Sequence, residues 1–212
     1  MMISILGLPH SNFIRSVALV CAQKQQPYRV SWQLGDEEIP FRSEAHYQLH
    51  RFAKIPVIRD EQVTLGETLA ICRYLDAKYP EPALQPESLI DQAQHDAWCS
   101  MAITQIDQAL IRKFMVELAF PSGPDGKPDK EKLMRNKPGA LKAVAVIEKQ
   151  LQATGTDYIC SNQFTLADAL IAPMAHYAAI MQKDLQLVEE NSPIHGYLNR
   201  IMQQPGAKDI LV

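Results

Sequence analysis

Three short segments carry side chains able to bind or activate a small polar ligand. In Pro9-His10-Ser11-Asn12-Phe13-Ile14-Arg15, Ser11 stands where a strand gives way to a helix. Its hydroxyl could donate to a thiolate there, and the positive end of the helix dipole would lower the thiol's pKa. An ordinary N-cap serine is the alternative. No base neighbours Ser11, so it is not read as a nucleophile. In Gly66-Glu67-Thr68-Leu69-Ala70-Ile71, a carboxylate and a hydroxyl stand at the mouth of a second helix. Free helix N–H groups favour an anion at such a place, so Thr68 and the backbone could take a ligand carboxylate while Glu67 takes its ammonium. Together they would recognise a free α-amino acid end; a plain N-cap is again the alternative. In Arg51-Phe52-Ala53-Lys54-Ile55-Pro56-Val57-Ile58, Pro56 opens a strand where it can donate no ladder hydrogen bond. A cis Ile55-Pro56 bond would expose the Ile55 backbone to an extended peptide, which could pair with it as an added strand. A trans proline at an edge-strand start fits the spacing equally well.

The remaining chemistry-bearing residues read as structural. Thr165 and Asp168 have the spacing of a capping box, with Phe164 placed for a hydrophobic staple to Ala169 or a nearby residue. His46 and His50 are four apart, as a helical metal pair would be, but no third ligand accompanies them. They are expected to be surface histidines, and no metal site is expected. Cys21, Cys72, Cys99 and Cys160 form no CxxC pair and sit in apolar surroundings, which reads as buried thiols in a reducing compartment.

The elements that must position the three segments follow from periodicity. Met2 to Leu6 is a short β-branched run ending at Gly7-Leu8-Pro9. Ile14, Val17, Ala18 and Cys21 then mark one face of a helix that Pro27 stops. Tyr28 to Trp32 alternates as a strand, and Phe41 to Leu49 is a weaker helix. Pro56 to Ile58 and Val63 to Leu65 read as a β-hairpin, followed by a helix from Glu67 to Tyr79 with Ile71, Cys72, Leu75 and Tyr79 on one face. The order βαβ-α-ββα predicts an α/β domain over residues 1–80. Pro80, Pro82 and Pro86 mark a linker over 81–89. Residues 90–212 are helical in period and predict an all-α bundle. Its helices run from Gln92 to Leu118, from Leu133 to Thr154 with an interruption near Pro138-Gly139, from Leu166 to Met181 and from Ile194 to Met202, with a loop over Phe120 to Asp129. Leu166 to Met181 is apolar almost all round and should be the buried helix of the bundle.

The 212 residues suffice for one large domain or two small ones, and 47% hydrophobic with 21% charged residues is an ordinary globular composition. A net charge of -3 gives no basic footprint for nucleic acid or anionic lipid. No apolar run approaches the length of a membrane span, and the N-terminus has no signal-peptide pattern, so a cytoplasmic location is expected.

Taken in order and spacing, these pieces resemble the glutathione transferase superfamily over nearly the whole chain. Gly7-Leu8-Pro9-His10-Ser11 with Arg15 and Val17 resembles the active-site loop of its serine-type classes, such as phi, theta and zeta. Lys54-Ile55-Pro56-Val57-Ile58 resembles its cis-proline segment. Glu67-Thr68-Leu69-Ala70-Ile71-Cys72-Arg73-Tyr74-Leu75 resembles its Glu-Ser-x-Ala-Ile-x-x-Tyr-Leu signature. Phe164-Thr165-Leu166-Ala167-Asp168 resembles its capping-box motif, and Arg200-Ile201-Met202-Gln203-Gln204-Pro205 its usual ending. The departures are Thr68 for the usual serine, Ala53 for a common glycine, His50-Arg51 where Asn-Pro is common, and Phe41 where some classes carry a glutathione-binding histidine.

The resemblance implies a thioredoxin-like N-terminal domain that binds glutathione as co-substrate. It casts Ser11 as the catalytic residue that stabilises the glutathione thiolate. Ile55 would pair its backbone with the cysteinyl part, Glu67 and Thr68 would bind the γ-glutamyl end, and Lys54, with Arg42 as a second candidate, would face the glycine carboxylate. The helical domain would supply the pocket for a small apolar electrophile, with Phe13, Met101, Gln105, Arg112 and Tyr177 as candidates by position. The implied reaction is attack of the thiolate on an electrophilic carbon. The same scaffold also serves glutathione-dependent isomerases, dehalogenases and peroxidases, and non-catalytic binding proteins. With no cysteine near Ser11, glutaredoxin-like chemistry is disfavoured. A homodimer is the family habit, and the Glu67 to Tyr79 face with part of Gln92 to Leu118 could supply its interface.

Overall fold

The computed structural model describes residues 2–180 and 187–212. The chain forms two compact units, Met1–Gln85 with Ile201–Val212, and Pro86–Arg200.

The first unit is built on a four-stranded sheet of order β2-β1-β5-β6. Strands β1 (Ile3–Leu6) and β2 (Tyr28–Ser31) are parallel and joined by helix α1 (Asn12–Gln23), while β5 (Val57–Arg59) and β6 (Thr64–Gly66) form the antiparallel hairpin. β1 is buried at every residue, as a central strand of Ile-Ser-Ile-Leu should be. Ile14, Val17, Ala18 and Cys21 are all buried on α1, as its period requires. Helix α2 (Glu44–Leu49) is shorter than its sequence pattern, because Ser43 caps it by accepting the N–H of His46. Helix α3 (Thr68–Lys78) packs against α1. The arrangement is the thioredoxin-like one. A small hairpin, β3 (Gln33–Leu34) with β4 (Glu37–Glu38), was not foreseen; Gly35, at φ +63°, makes its turn. Leu34 joins Leu6, Ile39 and Val57 in a core cluster.

Residues 201–212 depart from the expected boundary. Their period is helical, but they belong to the first unit. The Arg15 guanidinium donates to the Val212 carbonyl at 2.7 Å, and Gln23 donates to the Gln204 side chain at 2.8 Å. The Pro-rich segment is also anchored. Lys24 and Asp76, both buried, form an ion pair of 2.6 Å; Lys24 donates to the Pro82 carbonyl, and Asp76 accepts the Leu84 N–H and the Gln85 amide. Pro82 follows a cis peptide bond.

In the second unit, α4 (Leu89–Met101) runs without a break into a π-helical stretch (Ala102–Met115) and α5 (Val116–Ala119), the expected long helix. The following loop contains one 3₁₀ turn (Pro124–Gly126) and is tied down by Glu117. The Glu117 carboxylate accepts the N–H groups of Asp129 and Ser122 and the Lys132 ammonium, which together hold it near pKa 2. Helix α6 (Lys130–Ala153) starts earlier than its apolar pattern and carries Pro138 without interruption, contrary to expectation. The Asp129 side chain explains the early start, since it accepts the N–H of Lys132. Helix α7 (Leu166–Ile180) is buried along nearly its whole length; Met181, where its pattern ends, lies outside the described residues. Helix α8 (Pro193–Ile201) follows, and α9 (Ala207–Ile210) closes the first unit. No helix among the described residues is long and apolar enough to cross a membrane.

The start of α7 is a fuller network than a capping box. Asp168 accepts the N–H and the hydroxyl of Thr165, the N–H of Ile159 and the hydroxyl of Tyr197. Burial pushes its carboxyl up to about 6, and these four donors limit the rise. Phe164, the residue expected to form a staple, packs edge-on against Tyr158, ring centroids 6.3 Å apart.

Candidate functional site

Strand register gathers the three chemistry-bearing segments at one end of the sheet. Leu6 lies opposite Val57, and Val57 opposite Gly66. The chain leaves β1 towards Ser11, enters β5 from Ile55-Pro56 and leaves β6 towards Glu67, all at that end. Two strand spacings, about 10 Å, span the row. That is the reach of a small extended peptide, at about 3.3 Å per residue.

Ser11 occupies the N-cap position of α1, yet its side chain makes no capping hydrogen bond. The backbone closes the turn: the Ser11 N–H donates to Leu8 and the Ser11 carbonyl accepts from Arg15, each at 3.0 Å. The hydroxyl is therefore not consumed by the helix. The Arg15 side chain braces the same loop by donating to the Pro9 carbonyl at 3.3 Å. Gly7, at φ +146°, leaves β1 in a conformation that L side chains rarely adopt, and a Cβ would stand 2.6 Å from the end of the Ile14 side chain and 3.0 Å from that of Ile55.

The Ile55-Pro56 peptide bond is cis, which decides between the two readings of that segment. Val57 and Ile58 are buried behind it in the sheet, whereas Ile55 is half-buried and Lys54 exposed. Neither the N–H nor the carbonyl of Ile55 takes part in the backbone hydrogen bonds of the described residues.

Glu67 is the N-cap residue of α3, but its side chain does not cap the helix either. Its backbone lies at φ +68°, a conformation that costs a non-glycine residue on the order of 1–2 kcal/mol. The carboxylate projects into solvent, 78% exposed, and one oxygen, Oε1, is held by His50 Nε2 at 3.1 Å. Thr68 is buried at the first helical position. Arg42 is exposed, with backbone φ +59°, and its guanidinium lies 5.0 Å from the centre of the Phe41 ring.

The histidines are not on the surface as expected. His46 is fully buried and the His50 side chain is 8% exposed. Each ring is consumed by polar groups of this end of the unit. His46 Nδ1 accepts the N–H of Arg42 at 3.2 Å, and its Nε2 lies 3.1 Å from the Lys54 carbonyl. His50 Nδ1 accepts the N–H of Phe52 at 3.2 Å, and its Nε2 meets Glu67. Trp32 and Phe41 enclose the His46 ring, with centroids 6.0 and 5.9 Å away.

The cysteines mostly follow expectation. Cys21, Cys72 and Cys99 are buried, but Cys160 is only half-buried. Burial pushes the Cys21 and Cys160 thiols up to about 12. Of the residues named for an apolar pocket, Phe13 lies on α1; Met101, Gln105, Arg112 and Tyr177 lie in the second unit, where Arg112 is held by Asp107 at 2.9 Å.

Residues 6–83 match the family model of the glutathione S-transferase N-terminal domain, and residues 105–205 that of the glutathione S-transferase C-terminal domain. The chain belongs to the glutathione transferase superfamily. A probable maleylacetoacetate isomerase of Vibrio cholerae is 27% identical over 172 residues, 74% of this chain and 79% of that protein. Among solved structures, poplar glutathione transferase F1 superposes with a TM-score of 0.81 at 21% identity, covering 100% of this chain and 97% of that one. A theta class glutathione S-transferase of Xanthomonas axonopodis pv. citri, with glutathione bound, superposes with a TM-score of 0.78 at 18% identity, covering 99% and 97%.

Family membership gives the departures a local meaning. Ala53, where a glycine is common, is buried with φ +44°, so the chain keeps the glycine-type conformation with an alanine. His50, where an asparagine is common, supplies the polar contact to Glu67. Neither histidine is marked by the sequence pattern as a partner of these segments; the one signal is their position, His46 on α2 and His50 just past its end, shortly before Lys54-Ile55-Pro56.

Proposed function

We propose that the protein is a glutathione transferase that joins the thiolate of glutathione to a small apolar electrophile. One observation carries this reading: the Ser11 hydroxyl stands at a helix N-terminus without capping it, at the sheet end that also holds Ile55 and Glu67. In this reading the γ-glutamyl ammonium meets the exposed Glu67 carboxylate, and its carboxylate meets Thr68 and the first N–H groups of α3. The cysteinyl backbone pairs with Ile55 as a short added strand. Lys54, with Arg42 as the second candidate, faces the glycine carboxylate. The bound thiol releases its proton to water. Ser11 then donates its O–H to the sulfur anion, and the dipole of α1 favours the same charge. The sulfur lone pair attacks the electrophilic carbon; with an aryl halide, the carbon–sulfur bond forms and halide leaves with the carbon–halogen electrons.

The test is conjugation of a chromogenic aryl halide by wild type and Ser11→Ala. Turnover in wild type with a loss of roughly 10- to 100-fold in kcat/KM supports the reading, the size of one charge-assisted hydrogen bond. No turnover over a broad electrophile panel counts against it. Tight glutathione binding without any turnover would instead fit a binding protein on this scaffold.

A second reading is favoured by the Vibrio cholerae relative, whose name is that of an isomerase. The same thiolate, adding to a cis double bond and leaving after rotation, would isomerise an unsaturated diketo acid such as maleylacetoacetate and regenerate glutathione. A glutathione-dependent absorbance change with that substrate, in the absence of conjugate, would select this reading over the first.

A further inference from the structure

The polar groups proposed to hold glutathione lie on exposed, irregular backbone, which does not order them by itself. Lys54 lies in no helix or strand, Arg42 has φ +59°, and Glu67 has φ +68° with its side chain largely in solvent. Two residues four apart, His46 at the middle of α2 and His50 just past its end, reach all three. Their hydrogen bonds follow one pattern. In each ring Nδ1 accepts a backbone N–H, from Arg42 or from Phe52. An acceptor nitrogen carries no proton, so the proton of each neutral ring is assigned to Nε2. Nε2–H then donates to the Lys54 carbonyl in one case and to Glu67 Oε1 in the other.

We propose that His46 and His50 are positioning residues for glutathione, His46 setting the glycine-end segment through Lys54 and His50 setting the γ-glutamyl end through Glu67. The inference rests on the glutathione reading above and assigns that site a frame which sequence similarity did not mark. Exposed ion pairs contribute little to stability. The bond from His50 to Glu67 acts instead by fixing one carboxylate oxygen and leaving the other to the ligand. The ring sits so close to the backbone before Glu67 that a Cβ on Gly66 would stand 2.8 Å from His50 Cδ2. His46 does the same for a main-chain carbonyl, from a position with no solvent access at all.

Asparagine and glutamine separate the two halves of each ring. Asparagine places its oxygen near Nδ1 and keeps the acceptor; glutamine places its N–H near Nε2 and keeps the donor. Calorimetric titration of the full chain would use glutathione, γ-glutamylcysteine, which lacks the glycine, and a glutathione analogue lacking the amino group. His50→Asn is expected to weaken glutathione by roughly 3- to 10-fold, the cost of ordering a free side chain on binding. It should leave the deamino analogue unchanged, and His50→Gln should restore most of the loss. His46→Asn is expected to weaken glutathione similarly and leave γ-glutamylcysteine unchanged, with His46→Gln restoring it. Thermal unfolding run alongside identifies any variant that fails to fold; for such a position, retained selectivity of the glutamine variant supports the proposal and its loss counts against it. Equal weakening of all three ligands, or no weakening, overturns the positioning role while leaving the glutathione reading intact. Absence of glutathione binding by the wild-type chain overturns that reading and the inference with it.

Discussion

Gly66 lies directly beneath the imidazole of His50: a Cβ there would come within 2.8 Å of Cδ2. The ring is pinned on both sides, by the Phe52 N–H and by Glu67, so it cannot step aside without releasing one of them. Gly66→Ala is therefore expected to raise KM for glutathione by roughly 3- to 10-fold with little change in kcat, since the thiolate is bound elsewhere. Steady-state kinetics with varied glutathione checks this, and a fall in kcat at unchanged KM would contradict it.

The buried pair of Lys24 and Asp76 makes a stability prediction. Removing one member leaves the other charge without its partner, and here it also frees the Pro82 carbonyl. Lys24→Met is expected to cost about 3 kcal/mol or more in urea unfolding. The double change Lys24→Met with Asp76→Leu should recover part of that loss. A cost below about 1 kcal/mol for the single change would mean that the pair is not buried as described.

Asp60 should contribute to acid sensitivity, as Glu117 does from the second unit. Burial raises its carboxyl, but donors from Lys78, Tyr74 and the N–H groups of Gln62 and Val63 outweigh it and bring the pKa to about 2, from 3.8. A depressed folded pKa means that the native state holds the charged form. Its contribution is present above 3.8 and is lost as pH falls through about 2. Wild type should exceed Asp60→Asn in stability by a constant margin near neutrality, and the margin should shrink between those two values. Unfolding curves over a pH series measure it; a margin that widens in acid would reverse the sign.

The thiols should be inert. Cys21 and Cys160 have pKa values pushed up to about 12, and Cys72 and Cys99 are fully buried. At about pH 8 an alkylating reagent should modify the denatured chain fully and the native chain slowly at every site. One fast native thiol would contradict this.

The sequence made the sheet and most helices legible because β1, α1 and α7 are buried in simple periods. The grouping of residues 201–212 with the first unit was not legible because a helical period says nothing of which surface a helix joins; it shows in the contacts of Val212 and Gln204. The β3–β4 hairpin was too short to carry a period. At the site, Ser11, Ile55 and Glu67 were found as residue types at element ends. His46 and His50 were not, because their role lies in ring hydrogen bonds to Lys54 and Glu67 rather than in any spacing between themselves. The four-residue interval suggested a metal or nothing, whereas each ring serves a different segment.

In the proposed reaction Ser11 stabilises the glutathione thiolate. Ultraviolet difference titration of bound glutathione reads the thiolate directly. In wild type the thiolate band is expected to titrate below the range of free thiols, about 8.5, and in Ser11→Ala its midpoint should move up by roughly one to two pH units. Identical midpoints in the two proteins, with glutathione bound in both, would contradict the account.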